Sequence, residues 1–216
     1  MIELIVKGAL AYLLGSCVGS LLVGRLRGVD IRTMGSGNAG ATNMMRTQGK
    51  AAALAVLLID LGKGWIATFF LAAWHIPGIA TDSGPSAWCA AVCGLAVILG
   101  HVYPVWYGFR GGKGFATFLG AALGVSPMLL LVAAVVWLVV TILFGYVGLA
   151  SMAAAVAVAI AIAASTLSAR TPLLCFGIVA ALLIIYMHRG NIERMLAGNE
   201  SRAKRLWLFG TRRGSG

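Results

Sequence analysis

Apolar residues run along this chain in long blocks, with short polar breaks between them. The blocks predict seven spans: 3–24, 51–74, 86–103, 115–126, 128–145, 149–167 and 172–188. Most approach the ~20 residues that a helix needs to cross a bilayer. The region 115–167 is one apolar tract cut twice. The cuts are Ser126-Pro127 and Gly145-Tyr146-Val147-Gly148, and Pro and paired Gly are natural helix breakers. The first piece, 115–126, is short for a crossing and fits a tilted, re-entrant or merged helix. Merging pieces lowers the count to five or six, but a five-span chain that fuses 115–145 and extends 149–188 makes each fused piece too long. The pattern predicts an all-α polytopic membrane protein of about seven transmembrane helices, one integral-membrane domain over 1–216.

Composition agrees. The chain is 60% hydrophobic and 11% charged, against about 25% charged in soluble domains. Near the N-terminus, Leu14-Gly15-Ser16-Cys17 looks like a lipoprotein cleavage box. Val18 to Gly24 stays apolar after it, so 3–24 reads as a retained span.

The net charge of +11 would suggest nucleic acid in a soluble chain. Here the basic residues flank apolar blocks, so no nucleic-acid partner is expected. Most fall in three segments: Arg25 to Lys50, Arg110 with Lys113, and the tail after 188. The loop at 75–85 has no Lys or Arg, and that at 168–171 has only Arg170. With seven spans this sets the N-terminus outside and all three basic segments, with the C-terminus, in the cytoplasm.

Several chemistries lack their residues. The six acids (Glu3, Asp30, Asp60, Asp82, Glu193, Glu200) are scattered, whereas a divalent-metal phosphotransferase needs clustered carboxylates. No metal and no cofactor are expected. The four cysteines lie in apolar blocks and read as small buried residues, with Cys89 and Cys93 on one helix face. No G-x-S-x-G elbow is present. Asp60 and Lys63, three apart inside a span, read as a structural ion pair anchoring the loop above.

The polar residues concentrate in three segments. Gly35-Ser36-Gly37-Asn38-Ala39-Gly40-Ala41-Thr42-Asn43-Met44-Met45-Arg46 precedes an apolar helix. Its glycines and the helix start suit an anion, and Arg46 suits phosphate; helix capping alone also accounts for it. The second is Gly100-His101-Val102-Tyr103-Pro104, then Gly108-Phe109-Arg110-Gly111-Gly112-Lys113-Gly114-Phe115-Ala116-Thr117. It is not a Walker A loop: the first Gly is one residue short and Gly114 stands where Ser or Thr belongs. Four glycines around a lysine still form an anion nest. The third is His188-Arg189-Gly190-Asn191-Ile192-Glu193-Arg194-Met195-Leu196-Ala197-Gly198-Asn199-Glu200. If it is helical, His188 and Asn191 share a face, and His188 can act as acid, base or donor; an interfacial basic helix is the plainer reading.

These three motifs, in this order, resemble the signatures of the bacterial acyl-phosphate-dependent glycerol-3-phosphate acyltransferase family. LLIDLGKG around Asp60 and Lys63 is also similar to the family. The resemblance covers about 10–205 and implies a seven-helix fold with a cytoplasmic-side active site. The implied reaction moves a fatty acyl group from acyl-phosphate to the sn-1 hydroxyl of glycerol 3-phosphate. It gives 1-acyl-glycerol 3-phosphate (lysophosphatidic acid) and phosphate, the first acylation of phospholipid synthesis. The implied setting is the bacterial inner membrane, the chain a monomer in the lipid bilayer.

On that resemblance the catalytic residues are Ser36, Arg46, Lys113, His188 and Asn191. Substrate contacts are expected from Gly37, Asn38, Thr42, Asn43, His101, Arg110, Gly111, Gly112, Gly114 and Thr117. The amides of Gly111, Gly112 and Gly114 would cradle phosphate, with Arg46 and Lys113 as clamps. Asp60, Lys63 and Glu200 are structural polar residues. The proton acceptor stays open among His188, His101 and the donor's phosphate. Two positions depart from the family pattern: Gly148 where Ser is frequent, with Ser151 one turn on, and Arg110 where Lys is usual.

Two other functions fit parts of the pattern. An organic-phosphate transporter suits glycines, basic residues and broken helices, but no internal repeat is visible and the polar residues lie on one face. An acyl-CoA-dependent acyltransferase differs only in donor.

Overall fold

The computed structural model describes residues 1–76, 87–165, 170–203 and 206–208. Its elements are α1 (Ile2–Gly15), α2 (Gly19–Leu26), α3 (Ala41–Gln48), α4 (Lys50–Trp65), α5 (Ala87–Val102), α6 (Phe115–Val125), α7 (Pro127–Phe144), α8 (Val147–Ala164), α9 (Arg170–Met187) and α10 (Arg189–Leu196). The all-α architecture matches the expectation, and no strand occurs among the described residues. Four helical runs are long and apolar enough to span, or six if each of two bent pairs is one span. The short apolar α6 is the remaining expected segment. Of the basic tail, Lys204, Arg205, Arg212 and Arg213 lie outside the described residues.

The expected continuous span 3–24 is instead broken. α1 and α2 meet at 40° across Ser16–Val18. A break at membrane depth needs partners for its freed backbone groups, and α4 supplies them. Lys63 Nζ donates to Gly15 O at 2.8 Å and to Cys17 O at 3.1 Å. Asp60 Oδ1 accepts from the Gly19 amide at 3.0 Å, and the two side chains pair at 3.0 Å. The ion pair was expected; its task is to hold this break, not the loop above.

The expected 51–74 helix also departs from regularity. Past Trp65 it widens into a π-helical turn over Ile66–Leu71. The carbonyl of Ala72 receives the ammonium of Lys7 at 2.8 Å. Lys7 is wholly buried in α1 and paired with Glu3 at 2.6 Å. Sequence pattern alone passed over this charge, because one lysine inside an apolar block barely changes its hydropathy.

Glycine sets the closest helix contacts. α1 runs along α5 and α4 along α6. A Cβ on Gly100 would lie 2.1 Å from Tyr12 O, and one on Gly120 would lie 1.8 Å from Leu61 O. Such small-residue contacts replace the hydrophobic drive that helices lack in lipid. α7, α8 and α9 complete the bundle around a core that includes Phe118 and Phe176.

Candidate active site

Three loops meet at one end of the bundle, and each is fixed by its own polar residues. The 31–40 loop wraps around Asn43 of α3. Its Oδ1 accepts from the Ser36 amide at 2.9 Å, and its Nδ2 donates to Ile31 O at 3.1 Å and Met34 O at 2.9 Å. Asn43 is thereby a scaffold for the loop that presents Ser36. Arg32, paired with Asp30 at 2.8 Å, donates to Tyr107 O at 3.0 Å and ties this loop to the next.

The second loop leaves α5 at His101 and turns back on it. The Gly111 amide donates to Val102 O at 3.0 Å and that of Gly112 to His101 O at 3.2 Å. This corrects the expected cradle: those two amides already have partners. Gly112 is required because a Cβ would fall 2.3 Å from His101 Nε2 and 2.4 Å from Ala39 O. Gly114 adopts φ +81° and caps α6. The third amide of the expected cradle, that of Gly114, lies at the cavity just before the first turn of α6, at a helix start where anions bind well.

The third segment leaves α9 at His188 and bends by 52° into α10. His188 Nδ1 lies 2.8 Å from Ile184 O. A carbonyl only accepts, so Nδ1 carries the proton and Nε2 of the neutral ring is an acceptor. Asn191 Oδ1 accepts from Lys113 Nζ, and its Nδ2 donates to Glu200 Oε1 at 2.7 Å. Arg194 Nε donates to Glu200 Oε2 at 2.6 Å. Glu200 thus fixes Asn191, and Asn191 fixes Lys113. Burial, reinforced by the nearby Arg194 charge, pulls the Lys113 ammonium down to about 8.

Together these segments enclose a cavity of about 1370 Å³. Ser36, Gly37, Asn38, Thr42, Asn43, Arg46, His101, Gly111, Gly112, Lys113, Gly114, His188, Asn191 and Glu200 all line it. Thr117 and Arg110 do not. Thr117 is fully buried and its carbonyl faces Gly64 of α4; Arg110 is exposed. Lys63 also lies outside the lining, whereas Asp60 reaches it. His101 sits between site and scaffold, its Nδ1 3.3 Å from Asp60 Oδ1 and 3.0 Å from Lys63 Nζ. Gly148 lies directly against Asn191, where a Cβ would come within 3.0 Å of the amide carbon. Ser151, one turn on, lines the cavity and donates to Val147 O at 2.9 Å.

The opposite wall is apolar. Leu54 and Leu57 of α4, Leu119 of α6 and Ala134, Trp137 and Leu138 of α7 continue the same cavity along the bundle. The acyl chain of the implied donor calls for a groove among the helices, but the sequence names none of these residues, since nothing distinguishes them from others that face lipid. Among the described residues no group of three or more His, Cys, Asp or Glu is placed to hold a metal.

The fold and cavity define a multi-pass membrane protein with a basic, glycine-lined pocket at one end and an apolar groove leading from it. A family model described as glycerol-3-phosphate acyltransferase matches residues 5–198, and the chain belongs to that family. It is 42% identical over 199 residues to the glycerol-3-phosphate acyltransferase of Albidiferax ferrireducens, covering 89% of this chain and 86% of that one. It is 42% identical over 193 residues to that of Aquifex aeolicus, covering 89% and 95%. Two solved structures are similar, both of PlsY (YgiH), described as an integral membrane glycerol 3-phosphate acyltransferase. The glycerol 3-phosphate form superposes with a TM-score of 0.80 at 40% identity, covering 92% of this chain and 94% of that chain. The lysophosphatidic acid form gives 0.78 at 39%, with the same coverage.

Proposed function

We propose that this chain transfers a fatty acyl group from acyl-phosphate to the sn-1 hydroxyl of glycerol 3-phosphate, giving lysophosphatidic acid and phosphate. One observation carries the reading: a single cavity joins an anion pocket to an apolar groove between membrane helices. A lipid donor ending in phosphate and a small phosphorylated acceptor need both halves at once. The family membership and the ligands of the two PlsY structures support the same reading.

Arg46, Lys113 and the first-turn amides of α6 hold the two phosphates, while Ser36, Asn38 and Thr42 supply further donors. His188 and Asn191 orient the acceptor. Acyl-phosphate is an activated ester-like donor, so no enzyme nucleophile is required. The attacking hydroxyl forms the new C–O bond, the old acyl C–O bond to phosphate breaks, and the hydroxyl proton leaves with the phosphate. The protein holds two mutually repelling anions in attack geometry and stabilises the charge that develops on the acyl oxygen. We place the chain as a monomeric, single-domain enzyme of the bacterial inner membrane. Its N-terminus is outside, and its active site and C-terminus face the cytoplasm, following the basic loops.

Purified protein in detergent, given labelled glycerol 3-phosphate, tests the donor. Palmitoyl-phosphate, palmitoyl-CoA and palmitoyl carrier protein are supplied in separate reactions without metal. Labelled lysophosphatidic acid from palmitoyl-phosphate alone is expected. Product from the CoA reaction with none from palmitoyl-phosphate would overturn the donor assignment.

A further inference from the structure

Beyond α10 the chain turns at Gly198, with φ +72°, and comes back across the mouth of the cavity. Asn199, Glu200 and Ser201 line it. Glu200 holds Asn191 and Arg194, as described above. Ser201 Oγ accepts from Arg46 Nη2 at 2.9 Å, so this segment also fixes the guanidinium of a proposed phosphate clamp.

The segment is anchored outside the cavity, at the turn between α7 and α8. Ala203 N donates to Gly145 O at 2.7 Å, and Leu208 N to Ile142 O at 2.9 Å. The Trp207 indole donates to Leu143 O at 3.2 Å. The Arg202 guanidinium carbon lies 4.7 Å from the Tyr146 ring centre and 4.0 Å from that of Trp207. Each face of this sandwich is a cation–π contact. Gly145 allows the close docking, for a Cβ there would lie 3.0 Å from Trp207 Cγ. Arg202 itself is exposed and does not line the cavity.

We propose that Arg202, clamped between Tyr146 and Trp207, is a positioning residue for the anion pocket. It docks residues 199–203 so that Ser201 aims Arg46 and Glu200 aims Asn191. The phosphates need a preorganised set of donors, and a loose segment would let Arg46 swing out to solvent, where it is already exposed. The inference deepens the proposed function and rests on it for the identity of the anion.

The test uses inorganic phosphate as a probe, which needs no catalysis. Thermal unfolding of the full chain in detergent is followed across a phosphate titration for the wild type, Arg202→Ala, Arg202→Lys and Trp207→Leu. Arg202→Ala and Trp207→Leu are expected to unfold within a few degrees of wild type without phosphate. Both should need about tenfold more phosphate for half-maximal stabilisation, equivalent to about 1.4 kcal/mol. Arg202→Lys, which keeps a cation between the rings, should recover part of the loss. In the acyl-transfer assay the same variants should raise KM for glycerol 3-phosphate and leave kcat within about twofold. Wild-type phosphate dependence in Trp207→Leu or Arg202→Ala overturns the proposal, as does a wild-type chain that phosphate fails to stabilise. Should Arg202→Ala itself lower stability, Trp207→Leu decides alone. A wild type that phosphate stabilises but that forms no lysophosphatidic acid refutes the reaction, and the titration still decides the role of Arg202.

Discussion

Lys113 stands where the second and third loops meet, half-buried and bonded to Asn191. With its ammonium held at about 8, Lys113 without substrate is mostly charged below that pH and mostly neutral above it. Glycerol 3-phosphate gains its second negative charge near pH 6, at about the second pKa of a phosphate monoester. Its affinity should therefore rise through pH 6, level off, and fall above pH 8. On that upper limb binding must take up a proton, at a loss of up to about tenfold per pH unit. Titrating the dissociation constant across pH 5 to 10 checks this. Lys113→Arg should remove the upper limb, since a guanidinium stays charged throughout. Lys113→Met removes a charged donor and should lower kcat/KM by about 10- to 100-fold, from the 1.5–3 kcal/mol such bonds carry. At this scale the sequence was legible for position: Arg46 and Lys113, singled out beside glycines, both line the cavity. It was not legible for amides. Nothing in the string Gly111-Gly112 says that both N–H groups turn back onto α5, nor that the cavity-lining Asn43 also holds its own loop through its side-chain amide.

Between elements, glycines and one buried ion pair fix the bundle. Gly120 meets the α4 backbone at Leu61 O, and Gly124, four residues on, meets Thr68 Oγ1 at 2.1 Å from where its Cβ would be. Gly120→Ala should destabilise by about 1–3 kcal/mol, the usual cost of overpacking, read as a lower unfolding midpoint in detergent. Asp60→Asn leaves the Lys63 ammonium buried without its counter-charge and should cost about 3–5 kcal/mol. The same variant should loosen the break at Ser16–Val18, seen as faster amide exchange at Gly19, whose N–H bonds Asp60. Helix extents were well read from the apolar pattern: 128–145 is found as Pro127–Phe144 and 86–103 as Ala87–Val102. The break within 3–24 was not, because Ser16 and Cys17 are small enough to sit in either a helix or a kink. The partners that stabilise the kink, Asp60 and Lys63, come from α4, far away in sequence.

For the whole molecule, the arrangement matters more than any one contact. Three polar segments close one end of the bundle, and the apolar groove between α4, α6 and α7 runs away from them in the same cavity. The polar half of that cavity was visible in the sequence as three motifs. Which residues line the groove was not, since lipid-facing and groove-facing leucines look alike until the helices are packed. If both substrates occupy this one space together, acyl transfer passes through a complex of enzyme with donor and acceptor, and no acyl-enzyme forms. The most direct measurement is an initial-rate matrix in palmitoyl-phosphate and glycerol 3-phosphate. Double-reciprocal lines that intersect are expected, with no phosphate released when the acceptor is omitted. Parallel lines, or a stoichiometric burst of phosphate without acceptor, would show a covalent intermediate and contradict it.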